Sequence, residues 1–160
     1  MAVWINEFHY DNVGTDAGEF IEVAGTAGTD LGGWSIVRYN GNVPGAAVVY
    51  TTPGSTLLSG VIADQQNGFG TISVSLPANG LQNGPADGFA LVDGGGTVVQ
   101  FLSYEGVITA ADGPAAGLTS TDIGISQAGT EPLGASLHLT GSGDDYADFT
   151  WAATADDSPG

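Results

Sequence analysis

The chain has 160 residues and sets 1 lysine or arginine against 18 aspartates and glutamates, a formal net charge of −17. That balance excludes a basic face for gripping phosphate, since Arg38 alone cannot hold nucleic acid or an anionic membrane surface. Charged residues are only 12% and hydrophobic ones 42%, which separates the chain from acidic disordered tails and fits a single folded domain.

Cysteine is absent, so disulfides, thiolate nucleophiles and cysteine zinc sites are excluded as well. No apolar run is long enough to cross a bilayer, and no membrane insertion is expected. Met1-Ala2-Val3-Trp4 lacks the basic start and apolar stretch of a signal peptide, so a signal for export is expected outside this sequence.

With 27 glycines and 7 prolines, the chain reads as short segments separated by turns. In chain order, strands are expected at Val3 to His9, Glu19 to Ala24, Gly33 to Tyr39, Ala47 to Thr52 and Gly70 to Leu76. Further strands are expected at Gly88 to Val92, Val98 to Tyr104, Ser136 to Thr140 and Asp148 to Ala152. About nine strands without helical periodicity predict an all-β sandwich over residues 1–155, with 156–160 opening a linker or flexible tail. Loops are expected at Gly41 to Gly45, Gly54 to Asn67, Pro77 to Gly84 and Gly106 to Thr119. The second of these is apolar enough, through Leu57, Leu58, Val61 and Ile62, for a further short strand or a packed turn.

Residues two apart share a strand face, which places Trp34, Ile36, Phe89, Leu91, Leu137, Leu139 and Phe149 in the predicted core. Gly94-Gly95-Gly96, between two strands, predicts a hairpin turn. Trp4 and Trp151 are read as core or rim packing, with a surface platform as the other reading.

Several segments together resemble one family. Val3-Trp4-Ile5-Asn6-Glu7-Phe8, Glu19-Phe20-Ile21-Glu22-Val23 and Leu31-Gly32-Gly33-Trp34-Ser35-Ile36 resemble the opening of the lamin-tail domain, with its Asn-Glu pair, Glu-Phe-Ile-Glu strand and Gly-Trp strand. Asp87 to Asp93, Thr121 to Ile125, Ser136 to Gly141 and Asp148 to Trp151 are similar to the bacterial branch of that family. The resemblance implies an immunoglobulin-like β-sandwich acting as a noncatalytic accessory module of a larger exported bacterial protein, in some cases a nuclease. The implied role is that of a spacer, stabilising or adhesion domain, outside the cell or on its surface, with the neighbouring domains of the parent as partners. The family has no common catalytic residues to carry over. Its eukaryotic members are linked with DNA, a role that one basic residue does not support here.

The residues themselves offer little for catalysis. Only His9 and His138 could serve as imidazole bases, no Gly-x-Ser-x-Gly elbow surrounds a serine, and no phosphate loop or His-Glu-x-x-His motif occurs. Enzymatic activity is not expected.

Acidic residues carry the remaining chemistry. Glu7, Asp11, Asp16, Glu19 and Glu22 lie in one stretch, and Glu7, Asp11, Asp16 and Glu19 are the candidate ligands for Ca2+, which requires about six to eight oxygens. Backbone hydrogen bonding or solvation is the competing role for the same acids. Asp144, Asp145 and Asp148 form a second, weaker cluster, read as a solvated turn. Trp4, Tyr10 and Tyr39, with Tyr104, are candidate stacking residues for a glycan. The functional alternatives are thus a calcium-assisted module that binds a glycan or a cell-surface protein and, more remotely, a metal-dependent nuclease.

Overall fold

The computed structural model describes residues 2–41, 46–51 and 54–160. The strands follow from the alternating segments between glycine-rich turns, and the architecture is all-β, two open sheets of the β-sandwich class, consistent with an immunoglobulin-like arrangement. Eleven strands occur among the described residues, against about nine expected. They are β1 (Val3–His9), β2 (Phe20–Thr26), β3 (Ser35–Asn40), β4 (Val48–Val49), β5 (Ser55–Leu57), β6 (Phe69–Ser75), β7 (Asp87–Val92), β8 (Val98–Tyr104), β9 (Thr121–Asp122), β10 (Ser136–Gly141) and β11 (Phe149–Thr154). β5 falls within the expected loop 54–67, and β9 is a two-residue strand that pairs in parallel with β8. Residues 42–45 of one expected loop and Thr52 of one expected strand lie outside the described residues.

The chain forms two compact units, each built on one sheet and each assembled from separated segments. The first comprises Met1–Asp30, Val61–Leu81 and Ile125–Gly160 and carries the antiparallel order β11-β10-β1-β2-β6. Its apolar residues Ile5, Phe8, Ile21, Val23 and Leu137 are buried, and the Phe8 ring meets Trp151 edge-on at 5.4 Å. The second comprises Leu31–Gly60 and Gln82–Gly124, with the order β4-β3-β7-β8-β9 and β5 also paired to β3. Val37, Tyr39, Ala90, Val92, Phe101 and Ile108 form its core cluster.

Of the predicted core, Ile36, Phe89, Leu91 and Leu137 are buried. Trp34, Leu139 and Phe149 are only half-buried. Leu139 and Phe149 belong to the β10–β11 pair at the sheet margin, and among the described residues no further strand pairs with β11. Trp34 ends a turn in which its backbone N–H donates to the Leu31 carbonyl, so β3 starts at Ser35 rather than Gly33. Trp4 and Trp151 are both buried. The expected hairpin turn at residues 94–96 is present: Asp93 Oδ1 accepts from the N–H groups of Gly95 and Thr97, and Gly96 N–H donates to the Asp93 carbonyl.

Arg38, the one basic side chain besides the histidines, is wholly buried in β3. Its guanidinium lies 5.8 Å from the centroid of the Tyr50 ring, so its charge serves a cation–π contact inside the second unit.

Candidate functional site

Glu7, Asp11, Asp16, Glu19 and Glu22 of the first unit are buried rather than solvated, and Glu7, Glu19 and Glu22 are held by different partners. A bulge between Ile5 and Glu7 sets Glu7 opposite Glu22 in the β1–β2 ladder and leaves Asn6 beside them. Asn6 Nδ2 donates to Glu22 Oε1 at 2.7 Å. Glu7 Oε1 accepts from Ser136 Oγ at 2.6 Å and from Ser158 N–H at 3.0 Å, while Oε2 accepts from Ser158 Oγ at 2.9 Å. Glu22 Oε2 accepts from Gly160 N–H. Burial raises the Glu22 carboxyl above its ordinary range, and the charge on Glu7 adds to the shift. Within residues 156–160, Ser158 and Gly160 thus bond to the paired glutamates of β1 and β2. Asp157 N–H also donates to the Gly134 carbonyl at 2.6 Å, in the turn before β10, so the segment is tied to the first unit through three of its residues.

Glu19 immediately precedes β2 in the same unit. Its Oε2 accepts from Leu81 N–H at 2.7 Å, while the buried Oε1 has no hydrogen-bond partner. Burial, with the neighbouring charge of Asp16, pushes its carboxyl up to about 7 against the lowering effect of the Leu81, Gly80 and Asn79 N–H groups. Asp16 Oδ1 accepts from Asn12 N–H at 3.3 Å, inside the loop that follows β1.

The predicted calcium ligands Glu7, Asp11, Asp16 and Glu19 do not converge. Among the described residues, the one group of three acidic or imidazole side chains with ligand atoms within 4.8 Å of one another is Asp144, Asp145 and Asp148. The reason is pairing: Glu7 is committed to β10 and the 156–160 segment, and Glu19 to the turn at residues 79–81. The exposed Asp144–Asp148 group is organised by its own turn, in which Asp148 Oδ2 accepts from the N–H groups of Asp144 and Asp145.

His9 is buried as a structural link. Nε2 donates to Asn12 Oδ1 at 3.2 Å, and Nδ1 accepts from Gln127 Nε2 at 3.0 Å. Gln127 Oε1 meanwhile accepts from the N–H groups of Tyr10 and Asp11, and Gln127 N–H donates to the Tyr10 hydroxyl at 2.7 Å. His138 is half-buried on β10, opposite Glu7.

The predicted stacking residues separate in the same way. Tyr10, Tyr39 and Tyr104 are wholly buried and offer no ring face to a glycan. Their hydroxyls donate to the backbone carbonyls of Gln127, Asp112 and Gln82 respectively, as buried tyrosines require. Trp4 is different, because although buried it forms part of an open cleft of about 370 Å3 in the first unit.

The cleft has a floor and two rims. Trp4, Ala24 and Thr71 stand in one lateral row across β1, β2 and β6, which makes the floor. Phe69 and Phe149, both half-buried, flank Trp4 with ring centroids at 6.1 Å and 5.9 Å. One rim is the turn through Gln66, Asn67 and Gly68, where Gln66 and Phe69 exchange backbone hydrogen bonds around two residues with positive φ, 53° and 84°. Asn-Gly is the sequence that this tight hairpin geometry favours. The other rim is Gly141-Ser142-Gly143. A Cβ at Gly143 would stand 2.3 Å from the Asp148 side chain, so only glycine fits there.

Of the sequence-predicted site residues only Trp4 belongs to this cleft. Phe69, Phe149, Gln66, Asn67 and Ser142 were not singled out. Their signal was the polar turns that immediately precede an aromatic strand start, Asn67-Gly68 before Phe69 and the 141–148 turn before Phe149. No family model, curated protein or solved structure matches the chain.

Proposed function

We propose that this chain is a noncatalytic accessory module of a larger exported bacterial protein, of the lamin-tail kind, which holds a partner rather than transforming it. The observation that carries this reading is the composition of the cleft. Its lining offers aromatic rings, amides and hydroxyls from Trp4, Asn6, Gln65, Gln66, Asn67, Phe69, Thr71, Ser142 and Phe149, and no ionisable side chain. General acid–base chemistry needs a titratable group within hydrogen-bond reach of the reacting atoms, and such a lining provides none. The buried acids and His9 are engaged with backbone and side-chain partners of the first unit, a bracing role consistent with a module that must stay folded beside its neighbours.

A nuclease reading fares worse on electrostatic grounds. The chain carries −17, and Arg38, being wholly buried, presents no charge to a phosphate backbone. Incubation with double-stranded DNA and Mg2+ or Ca2+ tests this directly. The expected result is intact DNA in both metals. Cleavage that disappears in Glu19→Gln would replace the accessory-module reading with a metal-dependent one.

A further inference from the structure

The geometry points to the cleft over Trp4 as a binding subsite for a neutral carbohydrate, a short segment of an uncharged glycan. This inference rests on the reading of the chain as a noncatalytic module and supplies its ligand class.

Three features select that class. The first is the aromatic cluster: the rings of Phe69 and Phe149 flank Trp4 at 6.1 Å and 5.9 Å, and both phenylalanines line the cleft and are half-buried. A pyranose ring presents an apolar C–H face to such rings and keeps its hydroxyls at the periphery. The second is the rim. Gln66, Asn67 and Ser142 are exposed at the mouth, and their amides and hydroxyl both donate and accept, as sugar hydroxyls do. The tight turn at Asn67-Gly68 fixes one rim in advance, with Asp64 Oδ1 accepting from Gly68 N–H at 2.9 Å, which lowers the ordering cost of binding. The third is the buried Nε1 of Trp4, which has no hydrogen-bond partner. A buried donor without an acceptor is a standing cost, and a small shift of the Trp4 ring that opened Nε1 to the cleft would let a ligand hydroxyl relieve it.

Charge excludes the competing classes. None of the lining residues is ionisable, although the chain carries 18 acids. A basic peptide would find no carboxylate in the lining; Asp64 and the Asp144–Asp148 group stand behind the two rims. An anionic glycan or nucleic acid would meet a strongly negative molecule with no cation in the cleft. The volume of about 370 Å3 lies at the small end of the roughly 300–1,000 Å3 typical of small-molecule sites, which suits one or two sugar rings.

Isothermal titration of the whole chain with neutral cello-, xylo-, manno-, malto- and chito-oligosaccharides tests the assignment. Oligogalacturonate and a proline-rich peptide serve as the anionic and peptide arms, and reducing ends are measured in the same samples. The expected result is saturable binding of at least one neutral series, weakened about tenfold by Phe69→Ala and measurably by Gln66→Ala and Trp4→Phe. Melting curves show which variants stay folded; should Phe69→Ala unfold, Gln66→Ala and Trp4→Phe decide. Absence of binding by every neutral series overturns the assignment, as does binding that folded variants leave unchanged, or a preference for oligogalacturonate or the peptide. None of these touches the accessory-module reading, which falls in this experiment if reducing ends accumulate and in the DNA incubation if cleavage is lost with Glu19→Gln.

Discussion

Glu19 shows how a buried acid shapes the stability of this molecule. With its carboxyl at about 7 in the folded chain and near 4.5 when unfolded, the native state binds the extra proton over that interval. Its contribution is fully present below about 4.5 and is lost as the pH rises through about 7. Asp87 in the second unit acts in the same direction, since burial raises it from 3.8 to about 6, with Glu105 adding and the Gly41 N–H opposing. The melting temperature should therefore fall between pH 5 and pH 8, and Glu19→Gln should flatten much of that slope while leaving the pH 5 value nearly unchanged. A melting temperature that rises over this range would contradict the account. Gln127 is the second residue whose role is sharply testable. One side chain serves His9, Tyr10 N–H and Asp11 N–H, so Gln127→Ala removes three buried partners at once. Urea unfolding should show a loss of about 2–4 kcal/mol, since each buried polar group deprived of its partner costs about 1–3 kcal/mol and local relaxation recovers part of it.

Among the elements, the turns decide where the cleft lies. The β10–β11 connection forms one of its rims, and the Cβ of Gly143→Ala would stand 2.3 Å from Asp148, whose carboxylate holds the Asp144 and Asp145 N–H groups. That substitution should cost about 1–3 kcal/mol through overpacking, and amide hydrogen exchange should quicken in residues 141–149 while β1 and β2 keep their protection. Period-two alternation made the long strands legible, because Ile36, Phe89, Leu91 and Leu137 sit where alternation places them. β5 realises the short strand that the apolar residues of 54–67 allow, whereas nothing in the pattern marks β9 as a strand: two residues are too few to alternate, and it exists through pairing with β8. The acids were legible as a group but not in their roles. The partners of Glu7 lie at 136 and 158 and that of Glu19 at 81, distances along the chain that no local pattern reports. Trp4 was legible as a candidate, whereas Phe69 and Phe149 became its neighbours only through the sheet order β11-β10-β1-β2-β6.

Across the whole molecule the dominant quantity is the net charge of −17. Like charges at this density repel one another in the compact state, and salt screens them over a Debye length that shrinks from about 30 Å at 0.01 M to about 8 Å at 0.15 M. The melting temperature at pH 7 should therefore rise as NaCl is added over that range; a fall would mean that favourable ion pairs outweigh the repulsion. The same charge makes the uncharged cleft informative, since it sets one concave surface apart from the acids around the rest of the chain. The central claim is that this surface holds a ligand without transforming it. The most direct measurement mixes the chain with insoluble neutral polysaccharides and follows, in one sample, the fraction bound and the appearance of new reducing ends. The account predicts a bound fraction that saturates with polysaccharide while reducing ends stay at the blank level. Reducing ends that grow with protein concentration, or a bound fraction that never leaves zero, would contradict it.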